Sequence, residues 1–540
     1  MLQLKNVSHT FGDTPVFSGI TLDIGPAERL ALIGENGSGK TTLLRLMAGL
    51  EQAHSGQVTG RARVAYMAQL TELHETTVLD AVTPPALKEA RVALDASAAQ
   101  LDHGREDDAL AFVQAEEAYR EAGGYLFEGL AAAVLAGLHL HEDMAASTLS
   151  GGQKRRLMLA QLLLSPADVY LLDEPTNDLD ANGVTWLEHW VQASPAAFVL
   201  ASHDRAFLNA VTTRTSELER GTLTVYPGAY TEAMTVKAAL RSAQERDHAA
   251  YQRKRSALQE ERQLRQSKAR SANQYNHKRA RDADKLLAKG KAQNAQNVNA
   301  GRARVLERAT ARLDEAAPPK PFDDRRMISL NLPDVTSGPT DVLTVRNLQV
   351  AWGDQVILKN VHLNVRRGER IVLTGVNGSG KSSLLAALVM GTPNASLHRS
   401  GEVRWGTGLT RYTAGQLGEE LRCTVTVGEA LLAANPMLTP HQLHEVAAQL
   451  GVPGGPANAV SHLSGGQRTR LTLARLGVTR AQVLVLDEPT NHLDLQAIEA
   501  LEGLLLSYPG TVLLATHDRT LMRKVATRRW HLENHQIIDV

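Results

Sequence analysis

Short apolar runs bounded by polar or glycine-rich turns recur along most of the chain, and one long central stretch lacks them. The opening residues, Met1-Leu-Gln-Leu-Lys-Asn-Val7, alternate and predict a strand. Strand-like runs follow at Leu30-Ala-Leu-Ile33, Val64-Ala-Tyr-Met-Ala68, Val169-Tyr-Leu-Leu172 and Ala197-Phe-Val-Leu-Ala201. They have counterparts at Ile371-Val-Leu-Thr374, Arg411-Tyr-Thr-Ala414, Val483-Leu-Val-Leu486 and Thr511-Val-Leu-Leu-Ala515. The runs at Val169 and Val483 are apolar throughout, as parallel strands buried on both faces require.

The central stretch reads differently. Ala229 to Lys289 holds neither glycine nor proline. Val236, Leu240, Ala243, Tyr251 and Leu258 make a sparse stripe, answered by Val298, Val305, Ala309 and Leu313. This predicts two antiparallel helices in a poorly buried coiled-coil hairpin. A first helix of about 35 residues would project roughly 50 Å at 1.5 Å per residue. The polar, basic tip near Ser267 to Asn299 reads as a loop. Pro318, Pro319 and Pro321 end the hairpin, and Pro333 to Pro339 read as linker. The expected domains are 1–230, a helical linker 231–320, and 341–540.

The flanking domains are copies of each other. Gly34-Glu-Asn-Gly-Ser-Gly-Lys40-Thr41 returns as Gly375-Val-Asn-Gly-Ser-Gly-Lys381-Ser382. Leu149-Ser-Gly-Gly-Gln153, Leu172-Asp173-Glu174 and Ser202-His203-Asp204 each return 314 residues later, whereas the two lysines lie 341 apart. The first copy therefore carries 27 extra residues, placed within roughly Ala81 to Gly124, a stretch of helix-forming composition. Two readings of these helices stand: decoration of the domain, or an arm that reaches a partner.

Charge changes the picture of the linker. The whole chain of 540 residues balances 58 Lys+Arg against 58 Asp+Glu. Lys237 to Arg312 alone holds 20 basic and 7 acidic side chains. Such a local excess suggests a polyanionic partner. The chain has 1 Cys, Cys423, which cannot form an intramolecular disulfide and fits a reducing, cytoplasmic setting. No run of about 18 apolar residues is present to span a membrane.

The repeats carry phosphate chemistry. In a glycine-rich loop between strand and helix, backbone N–H groups surround triphosphate oxygens; the loop residues are Gly34, Asn36, Gly37, Ser38, Gly39 and Thr42, then Gly375, Asn377, Gly378, Ser379, Gly380 and Ser383. Lys40 and Lys381 would neutralise the β- and γ-phosphates, while Thr41 and Ser382 would offer hydroxyls to Mg²⁺. Adjacent carboxylates at a strand end point opposite ways. Asp173 and Asp487 would hold Mg²⁺, and Glu174 and Glu488 would orient or deprotonate water. His203 and His517 would contact the γ-phosphate. The Leu-Ser-Gly-Gly-Gln segments open helices with a serine cap, another anion-binding N-terminus.

This ordered set resembles the ATP-binding cassette over about 430 residues, an α/β P-loop NTPase fold. In that family two cassettes pack head to tail around two ATP molecules. The resemblance implies that Ser464, Gly465 and Gly466 complete the site of Lys40, and Ser150, Gly151 and Gly152 that of Lys381. It adds Gln69 and Gln416 as Mg²⁺ ligands, and Phe11 and Trp352 as rings that stack on adenine or else lie in the core. The second copy departs in spacing, Tyr412-x-x-x-Gln416 against Tyr66-x-x-Gln69.

The fused pair, the insertion and the basic linker resemble the ABC-F family of ribosome-binding translation factors. That resemblance implies a monomeric ATPase with an intramolecular cassette pair. Its linker would enter the tRNA exit site of the 70S ribosome and approach P-site tRNA and 23S rRNA at the peptidyl-transferase centre. Lys268, Arg270, Lys278, Arg279, Arg281, Lys285, Lys289 and Lys291 are the candidate RNA contacts, and Tyr275 and His277 could stack on bases. No DNA and no stable membrane partner are expected. Protection against macrolide- or lincosamide-type antibiotics and relief of stalled translation stay equally open. The alternative is the ATPase subunit of a transporter with a separate membrane partner.

Overall fold

The apolar runs after the first become strands of two equivalent six-stranded sheets. The computed structural model describes residues 2–67, 77–101, 106–177, 179–272, 282–320, 338–353, 355–376, 378–389, 397–415, 425–491 and 493–540, without the side chains of 106, 107, 272, 282–290 and 292. Gln69, Asn377, Gln416, Cys423, Tyr275, His277, Lys278, Arg279 and Arg281 lie outside these residues, as do the side chains of Lys285 and Lys289.

In the first cassette the six-stranded sheet runs Val64–Tyr66, Val169–Asp173, Ala197–Ala201, Arg29–Ile33, Arg214–Glu219, Thr222–Pro227. All neighbours are parallel but the last pair. The second cassette repeats this order with Arg411–Ala414, Val483–Asp487, Thr511–Ala515, Arg370–Gly375, Arg528–Glu533 and Gln536–Asp539. Each cassette adds a three-stranded antiparallel sheet, with Leu2–Phe11 central in one and Asp341–Trp352 in the other. Alternation suits these strands because one face is buried and the other open. The fold is thus two tandem α/β cassettes with a long helical segment between them.

Sheet register removes the spacing discrepancy between the copies. Val64 pairs with Val169, and Arg411 with Val483. Counted from these equivalent positions, Gln69 and Gln416 both stand five residues on. The tyrosines, not the glutamines, are out of step.

The insertion comprises helices Pro85–Gln100 and Glu106–Glu121, which pack on each other, and is followed by Gly124–Gly137. Glu128 is its polar centre, accepting from the Tyr119 hydroxyl at 2.8 Å and paired with Arg91.

The described residues divide into two units, 1–233 with 326–540, and 234–325. Within the second unit, helix Tyr230–Ala272 continues to its end and Asp282–Glu315 returns. Both exceed expectation. The first spans 43 residues, and 267–272 and 282–299 are helical rather than loop. Polarity misled the loop assignment: alanine, glutamine, lysine and leucine all favour helix, and the lone Gly290 costs only about 1 kcal/mol relative to alanine. The expected stripe is also corrected. Leu240, Val298 and Val305 are exposed, while Ala303 and Thr310 are buried and Leu306 and Leu313 half-buried. Ala303, Leu306, Thr310 and Leu313 follow three-four-three spacing, and Tyr251, Arg255, Leu258 and Arg262 of the other helix are half-buried. Tyr251 and Arg255 both donate to Asp314 Oδ1, at 2.7 and 2.9 Å, and Arg262 lies 3.6 Å from Glu307. These pairs run antiparallel, as a hairpin requires.

Leu200, the fourth residue of the five-residue strand Ala197–Ala201, is fully buried. Leu200→Ala should lower stability by about 2–5 kcal/mol in denaturant unfolding. A cost below about 1 kcal/mol would show that the strand is not enclosed as described.

Candidate nucleotide sites

The glycine-rich loops connect strand Arg29–Ile33 to helix Lys40–Met47, and strand Arg370–Gly375 to helix Lys381–Val389. Gly34 has φ 154°, and a Cβ there would lie 2.4 Å from the carbonyl oxygen of Leu218. Gly39 has φ 101°, and its Cβ would strike Val16 at 2.5 Å. Only glycine fits both the angle and the space. The loop is thereby held close against the sheet, with the helix N-terminus behind it.

Lys40 and Lys381 are buried, with 8% and 7% of their surface exposed. Lys40 Nζ donates to the carbonyls of Gly34 and Glu35 at 2.7 and 3.1 Å, and Lys381 Nζ to those of Gly375 and Val376 at 3.0 and 3.2 Å. Burial lowers both ammonium pKa values, against the pull of nearby carboxylates. The Ser38 and Ser379 hydroxyls in the same loops are buried without a hydrogen-bond partner. The cradles are built for an anion.

Strands Val169–Asp173 and Val483–Asp487 deliver the carboxylate pairs. Thr41 Oγ1 donates to Asp173 Oδ2 at 2.6 Å. Ser382 bonds Asp487, whose Oδ1 is buried and unpartnered; burial raises its pKa. The chain turns sharply after each aspartate. Glu174 and Glu488 sit at φ 52° and 45°, a left-handed conformation costly for residues with a Cβ. Their backbone N–H groups donate to Ala201 and Ala515 at 2.7 and 2.8 Å, so the neighbouring strand holds the strain.

That turn aims each glutamate at a histidine. His203 Nε2 lies 3.1 Å from Glu174 Oε1, and His517 Nε2 3.2 Å from Glu488 Oε1. Desolvation pushes Glu174 up to about 8 and Glu488 up to about 7, although the lysines oppose it. Desolvation and the same lysines push both histidines down to about 4. At neutral pH the histidines are therefore uncharged, and the glutamates are poised near their titration point.

A cavity of about 320 Å³ brings together Phe11, Asn36, Gly37, Gly39, Lys40, Thr41, Thr42, Asp173, Glu174 and His203. Another of about 640 Å³ joins Gly375, Gly378, Ser379 and His517 to Asp180, Ala181 and Asn182 of the first cassette. Phe11 and Trp352 are exposed rings, 59% and 51%, rather than core, though Trp352 does not line the second cavity. Ser150 and Ser464 cap helices Gly151–Leu164 and Gly465–Val478 through reciprocal bonds with Gln153 and Gln467. Neither serine, nor Gly151, Gly152, Gly465 or Gly466, lines either cavity. What crosses to the opposing loop is instead an aspartate. Asp494 Oδ2 accepts from the backbone N–H of Asn36 at 3.3 Å, and Asp180 acts electrostatically on Lys381.

Further residues that motif reading passed over knit the cassettes together. Arg205 donates to Glu502 at 2.8 Å and lies 3.7 Å from Asp518. Arg519 pairs with Glu188 and lies 3.8 Å from Asp204. The signal was available: Asp180, Glu188 and Arg205 recur at the same 314-residue offset as Asp494, Glu502 and Arg519. The two arginine pairs are thus one contact seen twice about a pseudo-twofold axis.

A family model described as ABC transporter matches residues 17–177 and 358–491. The chain is 31% identical to the probable ATP-binding protein YbiT of Escherichia coli O157:H7, over 100% of this chain and 97% of that one. It is 32% identical to the tylosin resistance ATP-binding protein TlrC of Streptomyces fradiae, over 96% and 95%. It is 30% identical to an antibiotic resistance protein of Mycobacteroides abscessus, over 93% and 92%. Among solved structures it resembles an archaeal ribosome recycling factor, crystallised with the ribosomal stalk protein aP1. The TM-score is 0.58 at 17% identity, covering 97% of this chain and 87% of that one.

The raised glutamate pKa values carry a stability signature. A carboxyl raised in the folded state contributes stability below its unfolded value near 4.5, and that stability is lost as pH rises through about 7 and about 8. Glu174→Gln/Glu488→Gln should therefore melt higher than the parent at pH 9, with the gap closing toward pH 5. A gap independent of pH in thermal melts would refute the desolvation.

Proposed function

Because the chain belongs to the ABC-F family of ATP-binding cassette proteins, we propose that it is an ATPase whose two cassettes close on ATP and present the basic linker to ribosomal RNA and tRNA. The observation that carries this reading is the linker itself, 20 basic against 7 acidic side chains between two phosphate-binding domains. Of the candidate RNA contacts, Lys268, Arg270 and Lys291 are exposed on the hairpin helices. A polycationic hairpin gains affinity on RNA by releasing counterions, and its binding weakens with salt. No helix among the described residues is long and apolar enough to cross a membrane, so the alternative, the ATPase subunit of a transporter, would need a separate membrane partner.

Chemically, Lys40 and Lys381 supply positive charge inside loops of backbone donors, so ATP replaces two carbonyls as their partner. Thr41 with Asp173, and Ser382 with Asp487, are hard oxygen pairs that fit Mg²⁺. Bound there, the ion would neutralise charge on the phosphates. Glu174 and Glu488 act as bases toward the attacking water, their pKa values lifted toward neutrality where a general base works best. His203 and His517, neutral and beside them, orient the γ-phosphate. The signature residues Ser464, Gly465 and Gly466, with Ser150, Gly151 and Gly152, complete the sites on closure. Loss of the γ-phosphate then releases the clamp.

The resistance names of two relatives favour protection of the ribosome against an antibiotic. Relief of stalled translation is the second reading, served by the same linker.

Glu174→Gln/Glu488→Gln protein should cosediment with 70S ribosomes through sucrose in ATP and not in ADP. Binding should fall by roughly tenfold or more between about 50 and 200 mM salt. Absence of ribosome binding in every condition would overturn the proposal.

A further inference from the structure

The two nucleotide sites are near copies, yet the chain has a single linker helix entering at Tyr230. Tyr230 is buried, and its hydroxyl donates to Glu499 Oε1 of the second cassette at 2.9 Å. Burial and the adjacent carboxylate hold the phenol far above its usual range, so the hydroxyl stays a donor. A buried hydroxyl bonded to a carboxylate is among the stronger hydrogen bonds, and leaving the Tyr230 hydroxyl unpaired is costly, whereas Glu499 is exposed and would be solvated.

Glu499 belongs to helix Leu495–Ser507, whose other contacts give the bond its meaning. The N-cap of that helix is Asp494, which also bonds the Asn36 N–H in the first glycine-rich loop and acts on Lys40. Two turns on, Glu502 accepts from Arg205, two residues after His203, and lies 2.5 Å from Lys524. One short helix therefore touches the phosphate loop of the first site, the segment after its histidine, and the first residue of the linker helix.

The equivalent helix of the first cassette, Ala181–Ala193, lacks the third of these contacts. Its N-cap Asp180 acts on Lys381, and its Glu188 pairs with Arg519. At the position of Glu499, 314 residues earlier, stands Thr185, whose hydroxyl is spent on the Ala181 carbonyl of its own helix. The pseudo-twofold symmetry holds for both interface contacts and breaks at the linker.

We infer that the site of Lys40, rather than that of Lys381, controls the linker, through helix Leu495–Ser507 and the Tyr230–Glu499 bond. Tyr230 is a positioning residue: it lines neither nucleotide cavity, and it converts movement at the first phosphate loop into a change in the first turns of the linker helix. This deepens the ATP-driven reading of the linker but does not depend on the ribosome as its target.

The test follows amide exchange by mass spectrometry across residues 230–245 of the full chain, with and without MgATP, no ribosome being present. In the Glu174→Gln/Glu488→Gln background ATP should alter exchange in this segment. Adding Lys40→Ala should abolish the response, while adding Lys381→Ala should leave most of it. Tyr230→Phe should reduce the response at least about twofold in that background, and in the chain with both glutamates intact it should leave basal ATPase within about twofold of the unsubstituted protein, since it removes one hydrogen bond remote from the chemistry. Glu499→Gln, which keeps an acceptor, should retain more of the response than Glu499→Ala. An equal response in the two lysine variants, a Tyr230→Phe response equal to that of the parent, or no ATP response in the parent background would each overturn the inference. Ribosome binding that fails while this pattern holds would count against the proposed function alone.

Discussion

Two ammonium groups sealed among backbone carbonyls set the terms for the molecule. Lys40 and Lys381 are more than nine-tenths buried and, among the described residues, donate to carbonyl oxygens of their own loops. A buried cation without an anion is costly, and the carboxylates nearby compensate poorly because desolvation draws the glutamates toward their neutral form. A polyphosphate resolves the conflict. On the proposed reading, its oxygens would meet the lysine, the orphaned serine hydroxyls and the helix N-terminus together. Glycine at positions 34 and 39 is the condition for this geometry, because any side chain would strike the sheet behind the loop.

On the same proposed reading, the rest of the structure transmits what happens there. Each glutamate is held at a strained left-handed turn by a bond to the neighbouring strand, and each faces a histidine. Two residues past each histidine an arginine reaches the opposing cassette. The aspartates at 180 and 494 complete the crossing toward the other phosphate loop. Nucleotide state and the packing of the cassettes are thereby written into the same few residues. Against the symmetry of these contacts, the bond of Tyr230 to Glu499 is informative as an exception.

Much of this was legible in the residues because the motifs repeat. Lys40, Thr41, Asp173, Glu174 and His203 recur in order, and strands buried on both faces announce themselves as unbroken apolar runs. The parts that were not legible have physical reasons. Of the hairpin seam, the expected stripe named Leu313 but not Ala303, Leu306 and Thr310, isolated positions that barely raise an apolar signal, whereas the conspicuous Val298 and Val305 face solvent. The helical extent of the basic segment was obscured by its polarity, which sets solvation rather than backbone preference. The interface arginines carry no motif of their own and become visible only through their offset. Likewise the spacing of Gln416 is explained by strand register, since Tyr412 occupies the place of Ala65.

The most direct measurement is the number of ATP molecules held per chain at saturation by the Glu174→Gln/Glu488→Gln protein, with Lys40→Ala or Lys381→Ala added singly. If each buried lysine is the counter-ion of one polyphosphate, the parent background binds two ATP and each lysine variant one. Retention of both after either lysine is removed, or a single ATP in the parent background, would contradict the account.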